Sequence, residues 1–289
     1  MTHIAVTGAT GNLGRATLQS LLDRKVSPAT VVPIARDLSK TSDLSGRGFS
    51  PRQADYTDLA SLEAAFRGTE KLLFISTSAV GEERMVHHRN VVTAAKRAGV
   101  GHIVYTSVVK PAATANFSAT PGHFHTEELI RETGIPYTFF RNNLYLELVP
   151  MLFGSAVQTG TLTHIGGNGR VGFVARQDIA EALAVVLTSG KHENRAYPIS
   201  VKGRAYSLPE IATALGQAAG KPVVYQDLSV NEFRKMLESF GLPAPLVDFS
   251  VGLGEAIRAG EFEESSPQLE TLLGRAPLTL QQFLATARP

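Results

Sequence analysis

Three glycines spaced three apart, Gly8, Gly11 and Gly14, lie in the stretch Val6-Thr7-Gly8-Ala9-Thr10-Gly11-Asn12-Leu13-Gly14. The apolar, β-branched run His3 to Thr7 reads as a short buried strand before them. After them Leu18, Leu21 and Leu22 mark one face of a helix. A glycine turn between strand and helix aims backbone N–H groups and the positive end of the helix dipole at one point, where a phosphate fits. Gly8 is expected to make the tight exit from the strand. Gly11 would let a pyrophosphate approach the backbone, and Gly14 would let the helix lie close to the sheet. The first interval is one residue longer than in the simplest dinucleotide fingerprint, but the strand–turn–helix context is the confirming one. Gly-Lys-Ser/Thr is missing, which argues against a P-loop hydrolase.

The next candidate is Arg36, which follows the strand-like run Thr30 to Ala35. At this strand end an acidic side chain would grip a ribose 2′-hydroxyl, whereas an arginine meets a 2′-phosphate. NADP(H) is therefore expected over NAD(H). Asp37 beside it keeps open the alternative that Arg36 is merely solvated. Asp55, after a short third strand, could accept from an adenine amine, or equally be a turn residue or helix-end acceptor. Ser76, Thr77 and Ser78 end the apolar run Lys71 to Ile75, the strongest candidate for a central parallel strand. Thr106 and Ser107 end the strand-like run from His102. Small hydroxyl residues in both places suit a surface that a dinucleotide crosses.

A hydride-transfer site of the short-chain dehydrogenase kind would protonate a carbonyl with Tyr-x-x-x-Lys. None of the seven tyrosines has lysine at that distance; Tyr105 and Lys110 are five apart, and Tyr105 is expected inside its strand. Arg141, Asn142, Asn143 and Tyr145 leave a sixth strand, Ile135 to Phe140, with neutral hydrogen-bonding groups for a carboxamide or planar carbonyl compound. Either asparagine could instead cap a helix.

The elements positioning these residues alternate strand and helix, giving an α/β class: a Rossmann-type doubly wound parallel sheet with a smaller, interleaved C-terminal α/β substrate domain. The expected division is 1–143 for the nucleotide-binding part, with 170–190 returning to it, and 144–289 for the substrate part. Helices are expected over 83–98, closed by Gly99, over 123–133, and over 144–157 despite Pro150. Gly166 to Gly169 reads as a turn between the strands 161–165 and 170–174. Capping boxes at Ser207/Glu210 and Ser229/Glu232 mark later helices. Lys110 to Gly122 is a small-residue loop of the kind that covers a site.

Composition narrows the classes further. The 289 residues are 43% hydrophobic and 19% charged, enough for a substantial core. The net charge of +2 comes from scattered Lys and Arg, so nucleic acid is not expected as a partner. Zero cysteines remove disulfides, thiolate metal sites and thiol catalysis, and without His-Glu-x-x-His no metal is expected. No run of eighteen apolar residues occurs and the N-terminus enters a strand at once, so a cytoplasmic protein with neither leader nor membrane anchor is expected.

The segments Gly8 to Gly14, Arg52 to Tyr56, Lys71 to Ser76, His88 to Val92, Tyr105 to Ser107 and Phe140 to Asn142 fall in an order that resembles the NmrA-like atypical short-chain dehydrogenases/reductases. The likeness is greatest to their type 2 NAD(P)H:quinone oxidoreductase and triphenylmethane dye reductase branch. It extends through Gly190 to Asn194 and Gly220 to Val224 and covers effectively the whole chain. It implies that Gly8, Thr10, Gly11, Asn12 and Leu13 hold the pyrophosphate and Arg36 the 2′-phosphate, with Ser76 to Ser78 along the cofactor. Phe140 to Tyr145 would surround nicotinamide and substrate, and Arg176 matches a further cofactor position. Many relatives carry a lysine where this chain has His123, four residues before Glu127; the quinone and dye branch has histidine there.

A quinone needs no strong protein acid, because hydride arrival yields an anion that solvent or one hydrogen bond can protonate. The expected function is NADPH-dependent hydride transfer to a quinone, triphenylmethane or azo dye, or a similar electron-poor planar acceptor, by a monomer or homodimer. Catalytic candidates are His123 as proton source, with Asn143 and Tyr145 orienting the acceptor. The alternative is a non-catalytic NADP(H)-binding redox sensor of the NmrA type.

Overall fold

A computed structural model describes residues 3–286. The first part of the chain alternates strands and helices: β1 (Ile4–Val6), α1 (Asn12–Asp23), β2 (Val31–Ala35), α2 (Ser42–Gly46), β3 (Arg52–Gln53), α3 (Leu59–Phe66), β4 (Lys71–Phe74), α4 (Gly81–Arg97), β5 (His102–Val108), α5 (Thr120–Glu132) and β6 (Tyr137–Asn142). β1 pairs in parallel with both β2 and β4, β2 with β3, and β4 with β5. The seven-stranded sheet runs β3-β2-β1-β4-β5-β6 and ends on a later strand, β9 (Arg195–Ile199), so strand order reverses between β1 and β4. Right-handed crossovers that leave β1 in one direction and β4 in the other must lie on opposite faces of the sheet. The packing of α1 on a later helix, α8 (Arg176–Thr188), and of α3 on α4 follows that rule. The reversal leaves a crevice beyond the C-terminal strand ends, where doubly wound folds place ligands.

Local sequence explains the ends of these elements. Asp58 caps α3 by accepting from the backbone N–H groups of Ala60 and Ser61. Gly99, with φ of 72°, closes α4 in the left-handed conformation. On one face of the sheet Phe74, Tyr105 and Phe139 meet Leu62, Phe66, Val91 and Ile130 in a buried core. The helix expected from His123 starts at Thr120, and the strand expected over 135–140 runs over 137–142.

The chain then passes through α6 (Leu148–Phe153), α7 (Ala156–Thr159), β7 (Thr161–His164) and β8 (Arg170–Val171). It returns through α8 (Arg176–Thr188) and β9 (Arg195–Ile199), and continues as β10 (Tyr206–Ser207), α9 (Leu208–Ala219), β11 (Val224–Asp227), α10 (Val230–Ser239), α11 (Ala244–Arg258), α12 (Gln268–Leu273) and α13 (Leu280–Thr286). Two compact units result. Among the described residues one comprises 3–113, 121–141 and 176–197; the other comprises 114–120, 142–175 and 198–286.

Within the second unit both capping boxes form, at Ser207/Glu210 and Ser229/Glu232. Two expectations fail there. Residues 144–157 are not one helix: Leu144 to Leu146 is extended and bonded to Val174, through Leu146 N–H to Val174 O (2.9 Å) and Val174 N–H to Leu144 O (3.0 Å). Two short helices follow, and Pro150 is tolerated because it stands in the first turn of α6. The strands flanking Gly166 to Gly169 do not pair with each other; β7 pairs in parallel with β11, and β8 antiparallel with β10. Gly169 serves close packing instead, since a Cβ there would lie 1.9 Å from the carbonyl oxygen of Ile257.

Candidate active site

The glycine turn joins β1 to α1 in the first unit. Gly8 has φ of 60°, and Gly11 N–H closes the turn on Gly8 O at 3.0 Å. A Cβ on Gly14 would stand 2.2 Å from Gly8 O and 2.9 Å from Ala9 Cα, so Gly14 is there for the turn more than for the sheet. Gly11 has an ordinary φ of −80° and caps α1 without a side chain, and the first turn of that helix holds no acidic residue. Its leading N–H groups are thus left for an outside anion. Thr10 is half-buried, Asn12 exposed and Leu13 buried.

The turn is tied to the neighbouring strands. Thr7 Oγ donates to Leu73 O (3.2 Å) and accepts from Ile75 N–H (3.0 Å), and Ala9 N–H reaches Ile34 O (3.3 Å). Arg15 Nε donates to Thr10 O (3.1 Å), and its guanidinium pairs with Asp43.

At the end of β2 the Arg36 side chain is 81% exposed. Asp37 is occupied, accepting from Ser39 N–H (3.0 Å) and Ser39 Oγ (2.7 Å), and these bonds hold its carboxyl below the usual range. The acidic neighbour is therefore spent on its own turn while Arg36 stays available. Asp55 accepts from Thr57 N–H and Oγ, both at 2.9 Å, and lies 3.9 Å from Arg36 Nε. It is the turn residue of the two readings. Together, a glycine cradle, an uncapped helix N-terminus and an exposed arginine fit a dinucleotide pyrophosphate and a 2′-phosphate.

Beyond β4 and β5 the polar groups are wired together. Ser76 N–H donates to Thr106 Oγ at 2.9 Å. Ser76 Oγ accepts from Arg84 Nη2 at 2.7 Å, and Thr77 Oγ bonds His87 Nδ1 at 3.2 Å. Ser78 is exposed. Arg84 is buried, with Nη1 on the carbonyls of Thr77 (3.2 Å) and Ala79 (3.1 Å) and Nη2 also on His123 Nε2 (2.9 Å).

These bonds assign the imidazole protons. His123 Nε2 accepts from arginine, so Nδ1 carries the hydrogen and donates to Tyr105 Oη at 2.7 Å. Thr126 Oγ donates to Gly122 O and therefore accepts from His88 Nδ1–H at 2.6 Å, which leaves His88 Nε2 to accept from Thr77 N–H at 3.3 Å. Burial, reinforced by the Arg84 charge, holds both histidines well below their usual titration range.

This corrects the assignment of His123 as a proton source: the ring is buried and neutral, and both nitrogens are committed. Phe140 is fully buried beside Tyr197, with no surface left for a cofactor. Arg141 holds Glu127 bidentately at 2.9 and 2.7 Å; that carboxylate also accepts from Arg131 (2.9 Å) and Ser107 Oγ (2.8 Å).

Asn142 ends β6 with both carboxamide atoms buried and without a hydrogen-bond partner among the described residues. Asn143, by contrast, is satisfied within the second unit: Nδ2 donates to Phe262 O (3.0 Å) and Oδ1 accepts from Leu144 N–H (2.9 Å). It is a structural latch rather than a substrate-orienting group. Neither asparagine caps a helix, because none begins there. Tyr145 is half-buried and forms a bridge with Val174, and Arg176 opens α8.

Arg84, His88 and Tyr105 escaped sequence reasoning, although a signal was present. Arg84, His87, His88, Val91 and Ala95 share one helical face, so charged and polar residues sit on the stripe that α4 buries. A cavity of about 560 Å³ in the second unit carries no comparable signal. Its Tyr225, Asp227 and Arg258 are bonded to one another. Among the described residues no group of three or more His, Asp and Glu is placed to hold a metal, and no helix is long and apolar enough to cross a membrane.

Comparison with known proteins agrees with this geometry. The NmrA-like family model matches residues 1–283. The chain is 37% identical over 282 residues to quinone oxidoreductase 2 of Escherichia coli, spanning 98% of this chain and 97% of that protein. It is 29% identical over 245 residues to the NAD(P)H azoreductase of Xenophilus azovorans, 85% of this chain and 84% of that one. The crystal structure of an Escherichia coli NADPH-dependent quinone oxidoreductase complexed with NADPH superposes with a TM-score of 0.93 at 36% identity, over 98% of this chain and 99% of that one. The Citrobacter sp. triphenylmethane reductase complexed with NADP(H) gives 0.90 at 36% identity, over 99% and 100%. The chain belongs to the NmrA-like family.

Proposed function

We propose that this member of the NmrA-like family is an NADPH-dependent oxidoreductase that transfers a hydride to a quinone or a similar electron-poor planar acceptor, dyes included. One observation carries the reading: the open glycine turn and the exposed Arg36 lie on a fold shared, at about one-third identity, with NADPH-complexed quinone and dye reductases. NADPH, when bound, supplies the hydride.

The chain's own residues bind and orient. Gly11 to Leu13 would hold the pyrophosphate, Arg36 the 2′-phosphate, and Ser76 to Ser78 with Thr106 would line the path between. No side chain of the Arg84–His123–Tyr105 cluster is set to act as an acid at neutral pH. Burial pushes the Tyr105 hydroxyl above its usual range and the histidines below theirs. Acceptors whose reduced anion takes its proton from solvent fit this best, and catalysis then rests on proximity.

We place the protein in the cytoplasm as a monomer or homodimer, two states that light scattering would distinguish. The functional test is loss of NADPH absorbance on adding a simple benzoquinone. Enzyme-dependent oxidation faster with NADPH than with NADH is expected. Tight binding of NADPH without turnover on any acceptor of a quinone and dye panel would overturn the reading.

A further inference from the structure

Arg84 is a buried cation for which the described residues supply no counter-charge. It is 6% exposed, yet every bond it makes goes to a neutral group: two carbonyls, Ser76 Oγ and His123 Nε2. Its Nε is buried and unpartnered. Arginine does not shed its proton in a protein, so the charge stays. The surroundings are built for it. A Cβ on Gly122 would come within 2.7 Å of Arg84 Cδ, so α5 has a glycine where the arginine stem passes. Glu82 and Glu83, in the first turn of α4, are exposed and screened by water. Glu127, the buried carboxylate of α5, is already saturated by Arg131 and Arg141.

A buried ion without a counter-ion is costly to keep, so its position carries information. The guanidinium grips Ser76 and Thr77 directly beyond β4, on the opposite side of the strand reversal from Arg36. In a dinucleotide fold the two halves of the sheet take the two mononucleotides. If Arg36 marks the adenosine half, the β4–β5 half takes the nicotinamide. That ring is neutral when reduced and carries a positive charge when oxidised.

We propose that Arg84 makes the site discriminate by redox state, binding NADPH more tightly than NADP+ through repulsion of the oxidised ring. The inference rests on the NADP(H)-binding reading above. Two like unit charges about 10 Å apart, in a medium of effective dielectric ~20, change a ratio of affinities roughly tenfold. The consequence is fast release of the oxidised product and little inhibition by it.

Isothermal titration of NADPH and NADP+ against the wild type, Arg84→Gln and Arg84→Lys tests this, with thermal melts confirming that each variant is folded. The wild type is expected to prefer NADPH about tenfold, the glutamine variant to bind both within about twofold, and the lysine variant to keep most of the preference. Equal binding of both forms by the wild type, or a tighter grip on NADP+, overturns the proposal whether or not the variants fold. So does a folded glutamine variant that retains the wild-type ratio. Failure of the wild type to bind either nucleotide would overturn the cofactor reading beneath it, an outcome distinct from equal binding.

Discussion

Replacing Gly14 with alanine should damage the protein in a way that replacing Gly11 does not. The added Cβ at Gly14 would lie 2.2 Å from Gly8 O and 2.9 Å from Ala9 Cα, both rigid backbone. Ordinary contact needs about 3.4 Å, so α1 or the turn must retreat by roughly 1 Å, and overpacking of this kind costs about 1–3 kcal/mol. For a chain of this size that corresponds to a fall in Tm of several degrees, on the order of 2–4 °C per kcal/mol. The turn Gly8–Gly11 moves with it, so NADPH affinity should drop as well. At Gly11 the same methyl would sit 3.3 Å from Gly8 O on a backbone of ordinary φ. Stability there should change by less than about 1 kcal/mol, the scale of an N-cap preference, while NADPH binding still suffers because Gly11 lies in the turn proposed to hold the pyrophosphate. Thermal melts and isothermal titration of both variants separate these effects. A Gly14→Ala protein with wild-type Tm and wild-type affinity would refute the steric argument, and a Gly11→Ala protein with wild-type affinity would refute the placement of the pyrophosphate.

Other perturbations follow from the same geometry. Arg36→Ala is expected to weaken NADPH binding about tenfold or more, the worth of a charge-assisted bond, and to leave NADH unchanged; equal losses for both cofactors would remove Arg36 from the 2′-phosphate. Glu127→Gln, which strips the charge holding Arg131 and Arg141, should destabilise by about 3 kcal/mol in denaturant titrations, and a neutral result would mean the network is dispensable. Burial holds His102 and His164 neutral, with titration pushed from 6.5 down to about 4. The unfolded chain therefore binds more protons between those pH values, so stability is full above pH 6.5 and falls as pH drops towards 4, by up to about 3 kcal/mol for each histidine. His164→Leu should flatten that acid limb in melts across pH 4 to 7, and an unchanged slope would refute the assignment. His123→Gln should leave the pH profile of turnover between pH 6 and 8 unshifted, because no imidazolium is being titrated there.

The sheet was legible because its strands are apolar and its turns contain glycine. Lys71 to Phe74 and His102 to Val108 read as buried strands, and the spacing of Gly8, Gly11 and Gly14 marked the turn between β1 and α1. What stayed hidden depends on pairing across long separations. That β7 finds β11 rather than its neighbour β8 is decided by packing some sixty residues away, not by the glycine run between them. Tyr105 read correctly as a strand residue, but its hydroxyl bond to His123, and the arginine beyond, join three separate elements that no local pattern links. Asn143 looked like a ligand group because its type fits one; its partners, Leu144 beside it and Phe262 far along the chain, revealed otherwise.

The return of α8 and β9 to the first unit bears on how the protein is made. Helix α1, whose Leu18 and Leu21 are buried, packs on α8, whose Ile179, Leu183 and Val186 are buried. A ribosome adding about 5–20 residues per second completes α8 roughly 10–30 s after α1. Throughout that interval the nucleotide-binding unit is present in sequence yet lacks a helix and a strand, and residues 142–175 emerge before it can close. The nascent chain thus carries an uncovered greasy surface for much of its synthesis, a natural client for a holding chaperone. A fragment cut after β6 should for the same reason aggregate rather than fold.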